Sequence, residues 1–134
     1  MSMGNINWLA VLVAGISAFV AGGIWYSPGL FGKAWMKENS LTEENIKQSN
    51  KGRTFGWSLI LILIMAVNLA MFLADPKTDF VWGMTAGFLA GIWIFCGIAV
   101  TAMFELRSWK YVFINGCYQL IALTIMGGII GVWR

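Results

Sequence analysis

Four long apolar stretches dominate the chain. None of them contains an ionisable side chain other than tyrosine and cysteine. Each exceeds the roughly 18–20 apolar residues that a helix needs to cross a hydrocarbon core about 30 Å thick. The pattern therefore predicts an all-α polytopic membrane protein, a bundle of four transmembrane helices. The predicted spans are about residues 6–26, 54–74, 80–104 and 111–133.

A single transmembrane domain over residues 1–134 is expected, because the longest polar stretch, residues 33–53, is too short for a core of its own. The first apolar stretch could instead be a cleaved signal peptide. Signal peptides begin with a positively charged region, however, and residues 1–32 contain no Lys or Arg. We therefore expect a retained first helix.

The polar connection after span one, residues 28–53, predicts a surface helix over residues 28–39. Its apolar side chains recur at i, i+1, i+4 and i+5, as on one helix face, and its lysines lie toward the other side. Such a helix would lie in the membrane interface with its tryptophan at headgroup depth. The alternative is a solvated loop with a chance stripe. The apolar face comprises Leu30, Phe31, Ala34 and Trp35.

Two local signals predict where these helices begin and end. Pro28 is expected to end span one because proline cannot continue the helical hydrogen-bond ladder, and Ser27 before it is a good N-cap for the next helix. Ser40 and Glu43 have the spacing of a capping box, which predicts a second, polar helix over residues 41–50.

The charged residues predict orientation. They make up 11% of the chain, with nine Lys and Arg against six Asp and Glu. The basic residues flank the spans instead of forming one face, so we expect no nucleic-acid partner. Seven of the nine lie in the connections after spans one and three, leaving Lys77 and Arg134 on the other side. The positive-inside rule then places both connections in the cytoplasm and both termini outside.

Small residues four apart predict close helix packing. Gly83, Gly87 and Gly91 form a flat groove along span three, and span four has a shorter copy at Gly127 and Gly131. A second backbone can lie in such a groove. The partner could be a helix of the same chain or of a second copy, and we expect a homo-oligomer. Span one has a similar stripe at Ala10, Ala14, Ala18 and Gly22.

The chain predicts no catalytic, metal or cofactor site. Histidine is absent, which excludes His-ligated haem, His-containing zinc sites and Ser-His-Asp chemistry. Cys96 and Cys117 lie inside spans and read as small apolar residues, with a disulfide as the alternative. No Asp, Glu, Lys or Arg lies within a span, so proton coupling through an intramembrane carboxylate is not expected.

Uncharged polar residues within the spans allow two interpretations. Asn115 and Gln119 share a face of span four, and Thr101 and Trp93 lie in span three. Trp93 is near mid-span, where its N–H would need an internal partner such as Asn115 or Gln119. These four residues could form a polar pocket or solute path. Alternatively, each simply bonds a neighbouring helix.

One motif carries a family resemblance. The residues from Gly23 to Trp35 resemble a bacterial family called domain of unknown function 1761, whose members look like small proteins with four membrane helices. The resemblance implies a match over essentially the whole chain, a location in the bacterial inner membrane and no particular activity. Read from the residues themselves, the motif is a helix end, a cap and an interfacial anchor. The motif residues are Trp25, Tyr26, Ser27, Pro28, Phe31, Gly32 and Trp35.

Three functions remain open from the sequence. The first is a structural or accessory membrane protein that assembles through its glycine faces. The second is a small channel or carrier for a neutral solute. The third and weakest is an enzyme acting on lipid, because only Ser27, Tyr26 and Lys33 could act near head groups. A dry, fully packed interior would favour the first, and a continuous polar line would favour the second.

Overall fold

The computed structural model describes residues 6–133, which form six α-helices and no β-strand. Four of the helices are long and apolar enough to cross a membrane, which confirms the predicted fold class. The four long helices are α1, α4, α5 and α6, and two short helices separate α1 from α4. The bounds are α1 Trp8–Trp25, α2 Gly32–Glu38, α3 Glu43–Gln48, α4 Lys51–Phe72, α5 Phe80–Phe104 and α6 Trp109–Val132.

The first residues of α4 and α6 are set by capping side chains and not by hydropathy. The Asn50 side chain accepts a hydrogen bond from the Arg53 N–H at 3.0 Å, so α4 begins at Lys51, ahead of the predicted span. Ser108 accepts likewise from the Tyr111 N–H at 3.2 Å. Such bonds satisfy amides that lack a partner in the first helical turn. Helices therefore extend past the apolar stretch where a cap is available.

The four long helices follow the spatial order α5, α6, α1, α4. Helix α6 packs on α5 and α1, while α4 packs mainly on α1 and less on α6. The short connections after spans two and three predict that spans two, three and four are successive antiparallel neighbours, and this prediction is wrong for α4 and α5. The tight turn joins them at one end only, where the rings of Phe72 and Trp82 lie 6.2 Å apart. Their remaining lengths pack elsewhere, because the glycine face of α5 lies against α6.

The glycine stripe of α5 packs against α6 of the same chain. A Cβ on Gly91 would lie 2.8 Å from the Leu120 Cα, and Cβ atoms on Gly83 and Gly87 would meet backbone carbonyls of α6. The backbones are thus in direct contact, as the small-residue spacing predicted. The contact also corrects the expectation of assembly through these faces. All three glycines are buried inside one chain and are not available to a second copy.

The small-residue stripe of α1 is confirmed as an internal face. Ala10, Ala14 and Ala18 are completely buried. Beside this stripe the Tyr118 hydroxyl of α6 donates to the Ala18 carbonyl at 2.8 Å. Gly22 leaves room for that phenol, because a Cβ there would lie 2.9 Å from the hydroxyl oxygen. The stripe therefore brings α1 close enough to α6 for a side chain to bond its backbone.

The surface segments differ in detail from the prediction. The helix expected over residues 28–39 is a turn followed by the shorter α2, whose N-cap Phe31 makes no side-chain cap bond. Helix α3 is capped by Thr42 and Asn45 instead of Ser40 and Glu43. Ser40 has φ of 54°, a left-handed conformation that an N-cap does not adopt. We call the side of the bundle that carries α2, α3 and residues 105–108 the loop end, and the opposite side the terminal end.

Candidate functional site

The motif forms a compact turn at the C-terminal end of α1. The Ser27 carbonyl accepts hydrogen bonds from the N–H groups of Leu30 and Gly32, at 3.0 and 2.9 Å. The Phe31 N–H donates to the Trp25 carbonyl at 3.1 Å. The Ser27 hydroxyl donates back to the Ile24 carbonyl at 2.7 Å. Ser27 therefore closes α1 and is not the N-cap of α2, which corrects the predicted role.

Gly32 is the point where the turn folds onto itself. Its Cα is buried against the preceding backbone, and an added Cβ would meet the Tyr26 carbonyl oxygen and lie 2.7 Å from the Ser27 carbonyl carbon. No flexible side chain is involved, so the backbone itself would have to move. The motif requires glycine here because of this close approach and not because of an unusual φ angle.

Aromatic rings of the motif join the turn, α2 and α6. The Trp25 and Phe31 rings are 4.4 Å apart between centroids. The Tyr26 ring makes edge contacts with both Trp35 and Tyr118, each at 5.6 Å. Aromatic pairs at these separations are favourable beyond their buried area. Phe31 and Trp35 were predicted to be lipid anchors, and both also pack within the protein. Phe31 packs against Trp25 of α1, and Trp35 packs against Tyr26, the C-cap residue of α1.

Two motif side chains hydrogen-bond α6. The Trp25 indole N–H donates to the Ile114 carbonyl at 2.8 Å, and the Tyr26 hydroxyl donates to the Asn115 side-chain oxygen at 2.7 Å. The Asn115 amide nitrogen in turn donates to the Tyr111 carbonyl at 3.0 Å. These bonds satisfy polar groups that would otherwise be costly in an apolar environment. We call Trp25, Tyr26, Asn115 and Tyr118 the motif cluster.

The connection between α5 and α6 hydrogen-bonds the C-terminal end of α2. One terminal nitrogen of Arg107 donates to the Glu38 carbonyl at 3.2 Å and to the Asn39 side-chain oxygen at 3.3 Å. The Ser108 hydroxyl donates to a Glu38 carboxylate oxygen at 2.6 Å. Arg107 also lies over the Tyr111 ring, 4.6 Å from its centroid. Arg107, Ser108 and Tyr118 were not among the predicted site residues.

The four residues of the predicted polar path do not converge. Trp93 is 83% exposed, which contradicts an internal partner for its indole. It lies two residues after Gly91, about 200° around the helix from the face that packs on α6. Thr101 is also exposed, whereas Asn115 is half-buried and bonded to Tyr26. Asn115 therefore behaves as the helix-bonding alternative proposed. Gln119 on the same helix is half-buried, and the exposed Trp93 of α5 does not join these two residues in one polar line.

A signal for Tyr118 was present in the sequence. Tyr111, Asn115 and Tyr118 are spaced i, i+4 and i+7, so their polar groups share one face of α6. Asn115 and Tyr118 on that face bond Tyr26 and the Ala18 carbonyl of α1. Arg107 and Ser108 gave no comparable signal, because their partners in α2 are about 70 residues away in the chain.

Together, the four long apolar helices and the joint built at the end of α1 define a small, all-helical, multi-pass membrane protein. The chain belongs to a family of proteins of unknown function, DUF1761, whose profile matches residues 9–131. The expected resemblance is confirmed, and it covers nearly the whole chain. No curated protein and no solved structure matches it.

Proposed function

We propose that this protein is a non-enzymatic accessory protein of the inner membrane that works as a homo-oligomer. The observation that carries the proposal is the closely packed interior, in which Ala10, Ala14, Ala18 and Met126 are completely buried. Between the terminal ends of α1, α4 and α6 lies a cavity of about 10 Å³, near the lower limit of ~10–15 Å³ for one water molecule. Within residues 6–133 the buried side chains are apolar apart from Thr78, in the α4–α5 turn, and the hydrogen-bonded hydroxyl of Tyr118. A rigid, closed bundle suits a structural role.

The absence of enzymatic activity is part of the proposal, and the hydroxyl groups of the motif support it. The Tyr26 hydroxyl donates to Asn115, and the Ser27 hydroxyl donates to a backbone carbonyl. Neither is paired with a general base, as an activated nucleophile would be. The Ser27 hydroxyl closes α1 and the Tyr26 hydroxyl joins the turn to α6, so two of the three candidates near the head groups have structural hydrogen bonds.

The alternative, a channel or carrier for a neutral solute, has less support within one chain. Such a path needs polar groups along one continuous line, and Trp93 and Asn115 lie on different sides of the α5–α6 pair. A pore between copies would need polar residues on the outer faces, and those faces are largely apolar.

Any contact between copies would have to use the outer, lipid-facing surface of the bundle, since the glycine stripe is occupied. This surface exposes many large apolar side chains, which pack equally well against lipid or a second copy. Cys96 is exposed on α5, whereas Cys117 on α6 is half-buried. The exposed side chains include Trp57, Ile60, Leu61 and Ile64 on α4, and Phe88, Leu89, Trp93 and Val100 on α5.

We expect native mass spectrometry from nanodiscs to give a mass of two or more chains. Mild oxidation of membranes should cross-link the Cys117→Ser variant through Cys96 if α5 faces its counterpart. The Cys96→Ser variant, which keeps only the half-buried Cys117, is the matched control and should not cross-link. A single-chain mass at every lipid-to-protein ratio would refute the homo-oligomer.

We also propose that the loop end faces the cytoplasm, which the seven-to-two distribution of basic residues supports. In a background without Cys96 and Cys117, an impermeant thiol reagent added to intact cells should label Lys77→Cys and not Gln48→Cys. Both positions are exposed, so both should react once the membrane is permeabilised. Labelling of Gln48→Cys alone on intact cells would reverse the orientation.

A further inference from the structure

A groove runs along the α5–α6 pair toward the loop end. Its volume is about 460 Å³, within the range of roughly 300–1,000 Å³ typical of small-molecule sites. It is separate from the closed interior. The wall is mainly aliphatic, with one hydroxyl on each helix. The lining residues are Ile94, Gly97, Ile98, Thr101, Ala102 and Tyr111.

The sequence of α5 explains why the groove opens at this level. Gly83, Gly87 and Gly91 hold the two backbones in contact, but the next position of the same stripe is Phe95. The Phe95 ring packs on Gly116, where an added Cβ would collide with it. The Phe95 ring therefore separates α5 from α6 at this level, whereas the glycines bring the two backbones into contact along the preceding turns. Gly97 widens the groove, since a Cβ there would have no atom within 4 Å.

The polar groups of the groove lie near its loop end. Within residues 6–133 neither the Thr101 hydroxyl nor the Tyr111 hydroxyl has a hydrogen bond to the protein. The Arg107 guanidinium covers the Tyr111 ring at 4.6 Å, and Lys110 is exposed one residue away. The Glu105 carboxylate lies 3.7 Å from Arg107 and offsets part of its charge. The groove is thus apolar along most of its length. Toward its loop end it reaches the hydroxyl-bearing residues Thr101 and Tyr111, and beyond them the cationic side chains of Arg107 and Lys110.

We propose that this groove binds one anionic phospholipid, with an acyl chain along the aliphatic wall and the phosphate near Arg107 and Lys110. Each part of the groove matches one part of such a lipid. The apolar wall suits the acyl chain, the hydroxyl groups suit the glycerol esters, and the positive charge suits the phosphate. Basic pockets between membrane helices bind anionic head groups in this way. The proposal is independent of the accessory role.

Native mass spectrometry of the full chain tests the site, with phosphatidylglycerol as the probe and phosphatidylcholine as the comparison. We expect wild type to retain phosphatidylglycerol preferentially. Gly97→Phe should weaken retention by about tenfold, because excluding even a few acyl methylenes has that effect. Gly56→Phe is the matched control, since Gly56 on α4 also has open space around its Cα, and it should bind like wild type.

The Lys110→Gln variant tests the headgroup separately. It should reduce the preference for phosphatidylglycerol over phosphatidylcholine and leave phosphatidylcholine binding unchanged. Arg107 is unsuitable for this purpose because it also holds α2. Equal retention by wild type, Gly97→Phe and Gly56→Phe would overturn the groove as the site. Equal binding of the two lipids by wild type would overturn recognition of the anionic head group.

Discussion

Replacing Gly87 with leucine is expected to cause a loss of stability on the order of 3 kcal/mol or more, because overpacking a tight contact already costs about 1–3 kcal/mol. A Cβ at this position would meet the Leu123 carbonyl and lie 3.2 Å from the Thr124 Cα. Both are backbone atoms of α6, so no side chain can rotate away. The two helices would have to separate, which would also open the contacts at Gly83 and Gly91.

Denaturant titration in detergent micelles, followed by far-ultraviolet circular dichroism, measures this effect. Gly56→Leu is the matched control, because it makes the same substitution at a helical glycine with no neighbouring atom within 4 Å and outside the α5–α6 groove. We expect the control to unfold like wild type. Equal stability of the two variants would contradict direct backbone contact at Gly87, whatever the absolute values.

The spans could be predicted because bilayer thickness fixes the length of an apolar helix, and few other structures contain such runs. The stripe of Gly83, Gly87 and Gly91 predicted close packing for a similarly general reason. It could not identify the partner, since a flat helix face accepts any other flat face. In the structure the partner helix is α6, and its own glycines, Gly127 and Gly131, form part of the surface that contacts the stripe.

The prediction for Trp93 went wrong because it considered depth without the angle around the helix. Two residues beyond Gly91 place the indole on the outer side, and its spacing from the glycine stripe could have indicated this. A tryptophan that faces lipid near the middle of the membrane leaves its indole N–H without a hydrogen-bond acceptor, which is energetically unfavourable. A partner outside the chain, such as another copy on the outer face of α5, would give that N–H a place to donate.

The motif cluster could be predicted only in part. The sequence located a helix end at Ser27 and Pro28 from local chemistry. The bonds from Trp25 and Tyr26 to α6 join residues 89 positions apart, and no local pattern specifies such a pairing. Motif residues that looked like lipid anchors thus also form a joint between α1, α2 and α6.

The second large effect is expected for Gly32→Ala, which adds a single Cβ at the tightest point of this joint. That atom would meet the Tyr26 carbonyl oxygen and lie 2.7 Å from the Ser27 carbonyl carbon, so the turn must open. Helix α2 would then lose the ring contact between Trp35 and Tyr26. We expect a loss of about 2–3 kcal/mol, within the range for strained backbone and overpacked sites.

Hydrogen–deuterium exchange in nanodiscs locates this effect. In Gly32→Ala the amides of α2 should exchange faster, while those in the centres of α5 and α6 keep their protection, because only the joint opens. The matched control is Gly29→Ala in the same turn, where the nearest atom to an added Cβ is the Ser27 hydroxyl oxygen at 3.9 Å. That variant should exchange like wild type. Unchanged protection of α2 in Gly32→Ala would mean that the turn does not hold the surface helix, and that the contacts of Glu38 with Arg107 and Ser108 suffice.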